Sequence, residues 1–289
     1  LTNRHAGTVL GIPGTLFYAI FMIAPLIMAL IYSMTDRFTI GARPVHFVGF
    51  NNFAEALTDP VFQSSLLVTG YMAIIAVMVP LVLGLALAIL LDGESPLYRV
   101  LRAVFFVPII LSPVVISTIW SSILGAQGIL NTALRGAGLG NLALNWIGDP
   151  YLAPITVALV TAWQSLAFSV TVYQAGLQSI PLDLQEAGTL DGVSGWARFR
   201  FITWPLIAPA FTINCVVLLI GGFKLYDQAV VLTNGGPGNA TQTVAMNIVA
   251  TNFVSGLSGL ASAKSFTLLV VVAAISFVVL RLLQRREVN

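Results

Sequence analysis

Ser65–Leu91 reads SLLVTGYMAIIAVMVPLVLGLALAILL, an unbroken apolar run without a single charged side chain. A helix crosses the hydrocarbon core of a bilayer with about 20 apolar residues, so this stretch is read as a transmembrane helix. Five more stretches meet the same test: residues 10–33, 103–124, 151–177, 204–223 and 265–283. The composition agrees. Only 8% of the 289 residues are charged and 57% are hydrophobic, whereas a soluble globular domain carries about 25% charged residues. So few charges cannot cover a water-facing surface of this size, and lipid is the natural solvent for the remainder. The chain is therefore predicted to be an all-α integral membrane protein with six transmembrane helices in a single domain, residues 1–289.

Between the runs the chemistry changes. Asp36, Arg37, Arg43, Glu55 and Asp59 follow the first, a short charged stretch from Asp92 to Arg102 follows the second, and residues 125–150 are rich in Gly and Asn. The connection from Lys224 to Lys264 holds Asn234-Gly235-Gly236-Pro237-Gly238, a strong turn signal. Basic residues favour the cytoplasmic side. Arg4, Arg99, Arg102, Arg198, Arg200, Arg281, Arg285 and Arg286 fall on one side, and Arg37, Arg43, Arg135, Lys224 and Lys264 on the other. The first set is larger and sits on shorter segments, which places both termini in the cytoplasm and the loops after spans one, three and five outside. The first run exceeds the length of a signal-peptide core and is read as a retained span.

Composition also excludes function classes. A formal net charge of +2 gives no basic footprint for nucleic acid. No ionisable residue lies in the middle of a span, although proton relays and many ion-coupled transporters need one there. No G-x-x-x-x-G-K-[ST] phosphate loop occurs, so uphill transport would draw its energy from another chain. No nucleophile–base pair or metal cluster suggests catalysis. The lone Cys215 lies in an apolar run and reads as a packing residue.

The spans do contain neutral polar and aromatic groups: Gln164 in the fourth, Asn214 in the fifth, and Tyr173 and Trp120. An amide in hydrocarbon needs a partner. Interhelical hydrogen bonds satisfy that need; so does a water-filled path in which amides meet solute hydroxyls and aromatic rings stack on sugar rings. Eight prolines in or beside spans (Pro13, Pro25, Pro80, Pro108, Pro113, Pro154, Pro205 and Pro209) can kink helices, as a bundle that opens and closes requires.

The connection between the fourth and fifth runs begins Ser179-Ile180-Pro181-Leu182-Asp183-Leu184-Gln185-Glu186-Ala187-Gly188-Thr189-Leu190-Asp191-Gly192. Pro181 and Asp183 suit a helix start, and Gly192 suits a stop. That predicts a helix of about ten residues, roughly 15 Å long and too short to span. A second start at Ser194 leads into an apolar stripe of Trp196, Phe199 and Ile202. Such a segment is either a rigid element for transmitting motion or an ordinary linker.

These residues resemble the E-A-A loop of permease subunits in binding-protein-dependent ABC importers. Glu186-Ala187-Gly188, Gly192, Ile202 and Pro205 match its spacing, with Gly188 in place of a second Ala and Trp204 in place of Leu. Glycine there lowers helix propensity by up to about 1 kcal/mol. Gly49-Phe50-Asn51-Asn52-Phe53, Phe223–Asp227, Leu232–Pro237 and Ala240–Thr243 resemble the outer loops of the carbohydrate-type permeases. The resemblance implies a type I ABC importer permease fold with a cytoplasmic coupling helix, in a bacterial plasma membrane. Glu186, Ala187, Gly188, Asp191 and Gly192 would form the ATPase-coupling loop, Glu186 facing the ATP-binding subunit. The implied partners are a second homologous permease, two ATP-binding subunits that bind ATP and magnesium, an extracytoplasmic sugar-binding protein, the sugar and membrane lipid. This chain itself would hold no cofactor and no metal. Glycerol phosphate is the alternative cargo. A secondary transporter is a distant alternative, and would show an intramembrane carboxylate or an inverted repeat; a channel or scaffold would need no coupling loop.

Overall fold

Prolines and caps decide where the apolar runs become helices. The computed structural model describes residues 12–39, 41, 44–93 and 95–285, the side chain of Gln185 excepted. Leu10, Arg4, Arg43 and Arg286, used above for span limits and orientation, lie outside the described residues. Among the described residues the chain is helical, and its β structure is limited to an isolated bridge between Thr35 and Phe47. Among the described residues five helical stretches are long and apolar enough to cross a membrane, one of them running Pro113–Gly136, and the bent pair Gly195–Leu206 with Ala208–Phe223, counted as one span, makes a sixth.

The elements in order are α1 (Ile12–Ser33), α2 (Asn51–Thr58), α3 (Pro60–Leu90), α4 (Pro96–Ile110), α5 (Pro113–Leu124), α6 (Ile129–Gly136) and α7 (Leu152–Gln178). Then follow α8 (Leu182–Leu190), α9 (Gly195–Leu206), α10 (Ala208–Phe223), α11 (Asp227–Thr233), α12 (Val244–Val254) and α13 (Ser258–Gln284).

Three expected spans differ from the helices that form. The run 204–223 is broken at Ile207, where α9 and α10 are bent by 65°. The run 103–124 is divided between α4 and α5 at Leu111 and Ser112. Pro113 disfavours helical geometry in the residue before it and suits a first helical position. Ser112 is extended, at ψ 149°, and its Oγ accepts from Val115 N at 3.3 Å. The last span begins at Ser258 rather than Ser265, which brings Lys264 into α13. A lysine there is tolerable because its charge is fully met: Nζ donates to Asp59 Oδ2 at 2.7 Å, Asn247 Oδ1 at 2.8 Å and Thr251 Oγ1 at 3.1 Å.

The chain divides into two compact units. One gathers the described residues up to Gln63 with Asn247–Val271; the other gathers Ser64–Met246 with the described residues from Val272. In the first, Asn52 Nδ2 donates to Ser33 O at 2.9 Å and Thr35 O at 2.8 Å, stapling α2 to the end of α1. Gly259 lies against the Thr35 carbonyl, where any Cβ would collide with backbone.

The second unit is built on α7. Tyr173, Val170, Ile207 and Ala88 form one buried apolar cluster, and Val157, Ala158, Met72 and Ile116 form another. Helices in lipid associate by close packing at small residues. Accordingly, a Cβ on Gly84 would stand 2.6 Å from the Ser169 Cβ, and one on Gly176 2.7 Å from the Ala210 Cβ. Those contacts draw α3 and α10 tightly onto α7.

Candidate translocation path and coupling segment

The segment after α7 folds as its residues suggest. Pro181 caps the start of α8 and Asp183 sits in the first turn, where a carboxylate favours the positive helix end. At the other end Val193 N donates to Gly188 O at 2.8 Å and Gly192 N to Thr189 O at 3.1 Å. This pair of bonds is a Schellman stop, and it needs a residue in the left-handed region; Gly192 supplies it at φ +73°. Ser194 then takes the extended N-cap position of α9, without a side-chain capping bond.

What α8 presents is unusual for a short linker helix. Leu182 is 71% exposed and Leu190 88%, with Glu186 also exposed. Its anchor is Gly188, which is buried; a Cβ there would lie 2.5 Å from Ile202 Cδ1. The departure from the Ala pattern is thus matched by a large neighbour on α9. Trp196, expected in an apolar stripe with Phe199 and Ile202, is 74% exposed, while those two are half-buried. Asp92, just after α3, is electrostatically coupled to Arg102 and Arg198: partial burial pushes its carboxyl up and the two arginines counter that push.

The break between α4 and α5 creates a polar station. In a continuous helix the Val115 N–H would bond to the Leu111 carbonyl. Here it turns to Ser112 Oγ, and Gln164 Nε2 on α7 donates to Leu111 O at 3.1 Å instead. Gln228 Nε2 on α11 donates to Gln164 Oε1 at 2.9 Å. Both ends of the Gln164 amide are therefore satisfied, as an amide in hydrocarbon must be. Beside it is a cavity of about 350 Å³, lined among others by Gln164, Ser165, Phe168, Tyr226, Asp227 and Gln228. Its size is within the range of small-molecule sites, about 300–1,000 Å³. Amides that both donate and accept suit hydroxyl-bearing solutes.

The other sequence candidates sit elsewhere. Tyr173 and Asn214 are wholly buried, at 0% exposure, and Asn214 Nδ2 donates to Ser169 O at 3.2 Å. Trp120 is half-buried and meets Trp163 edge-to-face at 5.5 Å. Gln228 and the Leu111 carbonyl were not among the candidates. The Ser112-Pro113 start signal was the available clue to the carbonyl; nothing local marked Gln228, which belongs to a segment read as an outer loop.

That segment closes on itself. Asn234 ends α11 in the left-handed region at φ 48°. Thr241 Oγ1 donates to Gly236 O at 2.8 Å and lies 2.6 Å from Thr233 Oγ1. The Gly-Gly-Pro turn so fixes the end of the helix that carries Gln228.

The profile of one family, described as "Binding-protein-dependent transport system inner membrane component", matches residues 80–287. The chain belongs to that family. The matched part of this permease runs from Pro80 within α3 through α8 and past Gln284, the end of α13. The permease is 33% identical over 277 residues to the probable starch degradation products transport system permease protein AmyD of Thermoanaerobacterium thermosulfurigenes, covering 96% of this chain and 93% of that one. It is 28% identical to the lactose transport system permease protein LacF of Rhizobium radiobacter, covering 92% and 89%. It is also 30% identical to the sn-glycerol-3-phosphate transport system permease protein UgpA of Agrobacterium fabrum, covering 98% and 96%. Its fold matches a chain in the crystal structure of a bacterial alginate ABC transporter in complex with an alginate pentasaccharide-bound periplasmic protein, with a TM-score of 0.81 at 18% identity over 97% of this chain and 94% of that one. The fold is therefore the type I ABC importer permease fold, and the permease is an inner-membrane component.

Proposed function

We propose that this permease forms half of the path by which an ATP-driven importer moves a sugar or oligosaccharide inward, and that α8 couples ATP hydrolysis in a partner subunit to alternating access. The observation that carries the coupling role is α8 itself: a short helix, rigidly capped at Gly192, that turns Leu182, Leu190 and Glu186 outward between two apolar segments. An exposed apolar helix face is a docking face; Glu186, Ala187, Gly188, Asp191 and Gly192 are assigned to the coupling segment, with Gly188 as its buried anchor. ATP and magnesium bind in the partner. ATP drives transport only by favouring one state over another, so α8 must meet its partner differently in the two states. Both termini and α8 are assigned to the cytoplasmic side, and the turn at Gly235–Pro237 to the outside. A second copy of the fold completes the path, and an extracytoplasmic binding protein delivers the cargo.

The path is assigned to the cavity beside Gln164 and Gln228, where amide groups match sugar hydroxyls; Trp120, packed on Trp163, is not among its lining residues. Tyr173 and Asn214 support α7 and α10 from within. Relatives named for starch products and lactose favour a neutral sugar. Glycerol phosphate is the second reading, favoured by the relative named for it and by Lys224 at the cavity, although Asp227 in the same wall offsets that charge.

The test is reconstitution of the complete transporter in liposomes with its binding protein. ATP hydrolysis and uptake are followed for starch-derived oligosaccharides, lactose and glycerol 3-phosphate. Glu186→Ala is expected to lower stimulated hydrolysis and uptake together. Normal transport by that variant would overturn the coupling role, and uptake of glycerol 3-phosphate alone would overturn the neutral-sugar reading.

A further inference from the structure

Where α1 ends and α13 begins there is a cleft of about 380 Å³. Its lining is mixed: Phe253, Ile248 and Val249 supply apolar surface, and Arg37, Asn252 and Ser262 supply polar groups. The apolar stretches of α1 and α13 are unburied, so the level where they give way to polar groups is that of a membrane–water boundary. Tyr32 and Arg37, an aromatic ring and a long cation, are side chains suited to that level.

Hydrogen bonds within the cleft determine what is left over. Thr39 Oγ1 donates to Asn252 O at 2.6 Å, Ser258 Oγ to Asn252 Oδ1 at 2.9 Å, and Ser265 Oγ to Ala261 O at 2.8 Å. With its oxygen engaged, the Asn252 amide keeps its Nδ2 donors. The Ser262 hydroxyl has no acceptor among the described residues. The Arg37 guanidinium lies 4.3 Å from the Tyr32 ring centroid. Stacking holds its plane and leaves its N–H edge available, and no acidic side chain pairs with it among the described residues. All three remaining groups are donors and one is a full positive charge. The first turns of α13, a 27-residue helix, add a positive end on the same side.

The occupant must supply negative charge, several acceptors and apolar surface together. We propose that this cleft is a headgroup site for a phospholipid. The phosphate accepts from Arg37, Asn252 and Ser262, while the glycerol and first acyl carbons lie on Phe253 and Ile248.

Native mass spectrometry of the complete transporter in detergent tests the assignment, with phosphatidylglycerol, diacylglycerol and inorganic phosphate as probes. Wild type is expected to retain a phosphatidylglycerol that Arg37→Gln binds at least about tenfold more weakly, the loss due to a charge-assisted bond. Ser262→Ala removes one neutral donor that makes no internal bond, and a severalfold weakening is expected; it carries the test if Arg37→Gln fails to assemble. Equal retention by wild type and variants overturns the site. Diacylglycerol held as well as phosphatidylglycerol overturns the phosphate contact. Displacement of the lipid by inorganic phosphate at comparable concentration overturns the lipid source and leaves a free-anion site.

Discussion

Lys264 Nζ lies 2.7 Å from Asp59 Oδ2, with the lysine side chain 3% exposed and the aspartate 25%. The pair joins the start of α3 to α13, and Asn247 and Thr251 from α12 complete the shell. The asymmetry in burial makes the two halves of the pair unequal. Asp59→Asn keeps a cap for Val61 N, which Asp59 Oδ1 now accepts at 2.8 Å, but strands a buried ammonium. Breaking one side of a buried pair costs about 3–5 kcal/mol. Lys264→Met leaves a carboxylate that water can reach. Thermal unfolding in detergent, followed by tryptophan fluorescence, is expected to show Asp59→Asn well below Lys264→Met; equal losses would contradict this account.

The same pair fixes a pH dependence. Partial burial pushes the Asp59 carboxyl up, but the Lys264 ammonium and the Val61 and Phe62 N–H groups outweigh it and hold it below 3.8. A carboxyl held lower in the folded state stabilises the fold above its unfolded value, and that contribution is lost as pH falls through the folded one. Between pH 5 and 8 this group should therefore leave the unfolding temperature flat. Below about pH 4 the temperature should fall in wild type, and Asp59→Asn should lack that component.

Gly192 holds α8 in register. At φ +73° an L side chain costs about 1–2 kcal/mol, with Asn the least penalised. Uptake per ATP hydrolysed is expected to follow Gly, then Asn, then Ala, then Val at position 192, while basal hydrolysis by the partner changes little. A Gly192→Val transporter with wild-type coupling would show that the stop is dispensable.

Gln164 and Gln228 share one hydrogen bond, so their substitutions should not add. Gln164→Leu leaves both Gln228 and the Leu111 carbonyl unsatisfied, at about 1–3 kcal/mol per buried group. Gln228→Leu strands only one oxygen of Gln164. The double variant is expected to be less impaired in uptake than the sum of the singles, with a raised KM for sugar. Strict additivity would mean that the 2.9 Å bond is not made in the transporting states.

Hydropathy made the spans legible, and Pro181, Asp183 and Gly192 made α8 legible, because those signals are local. Hydropathy carries no information about the hydrogen-bond ladder, so the interruption at Leu111 and Ser112 passed inside a smooth apolar run even though Ser112-Pro113 marked it. Lys264 was read as a loop residue on its charge; its acceptors, Asp59, Asn247 and Thr251, are distant in sequence and become visible only in the fold. A neutral polar group in an apolar run reads alike whether it faces a path or a core. That is why Gln164, half-buried at a cavity, and Asn214, sealed at 0% exposure, were indistinguishable beforehand.

The axes of α9 and α10 meet at 65° near Ile207. An angle nearer to perpendicular than to parallel divides any displacement unequally. If α8 pushes α9 along its length through the Gly188–Ile202 contact, the smaller component continues along α10 and the larger one moves its end sideways. On the proposed coupling, a small axial stroke of α9 would become mainly a sideways swing of the apolar α10, which would change the width of a passage beside it without drawing that helix along its own axis.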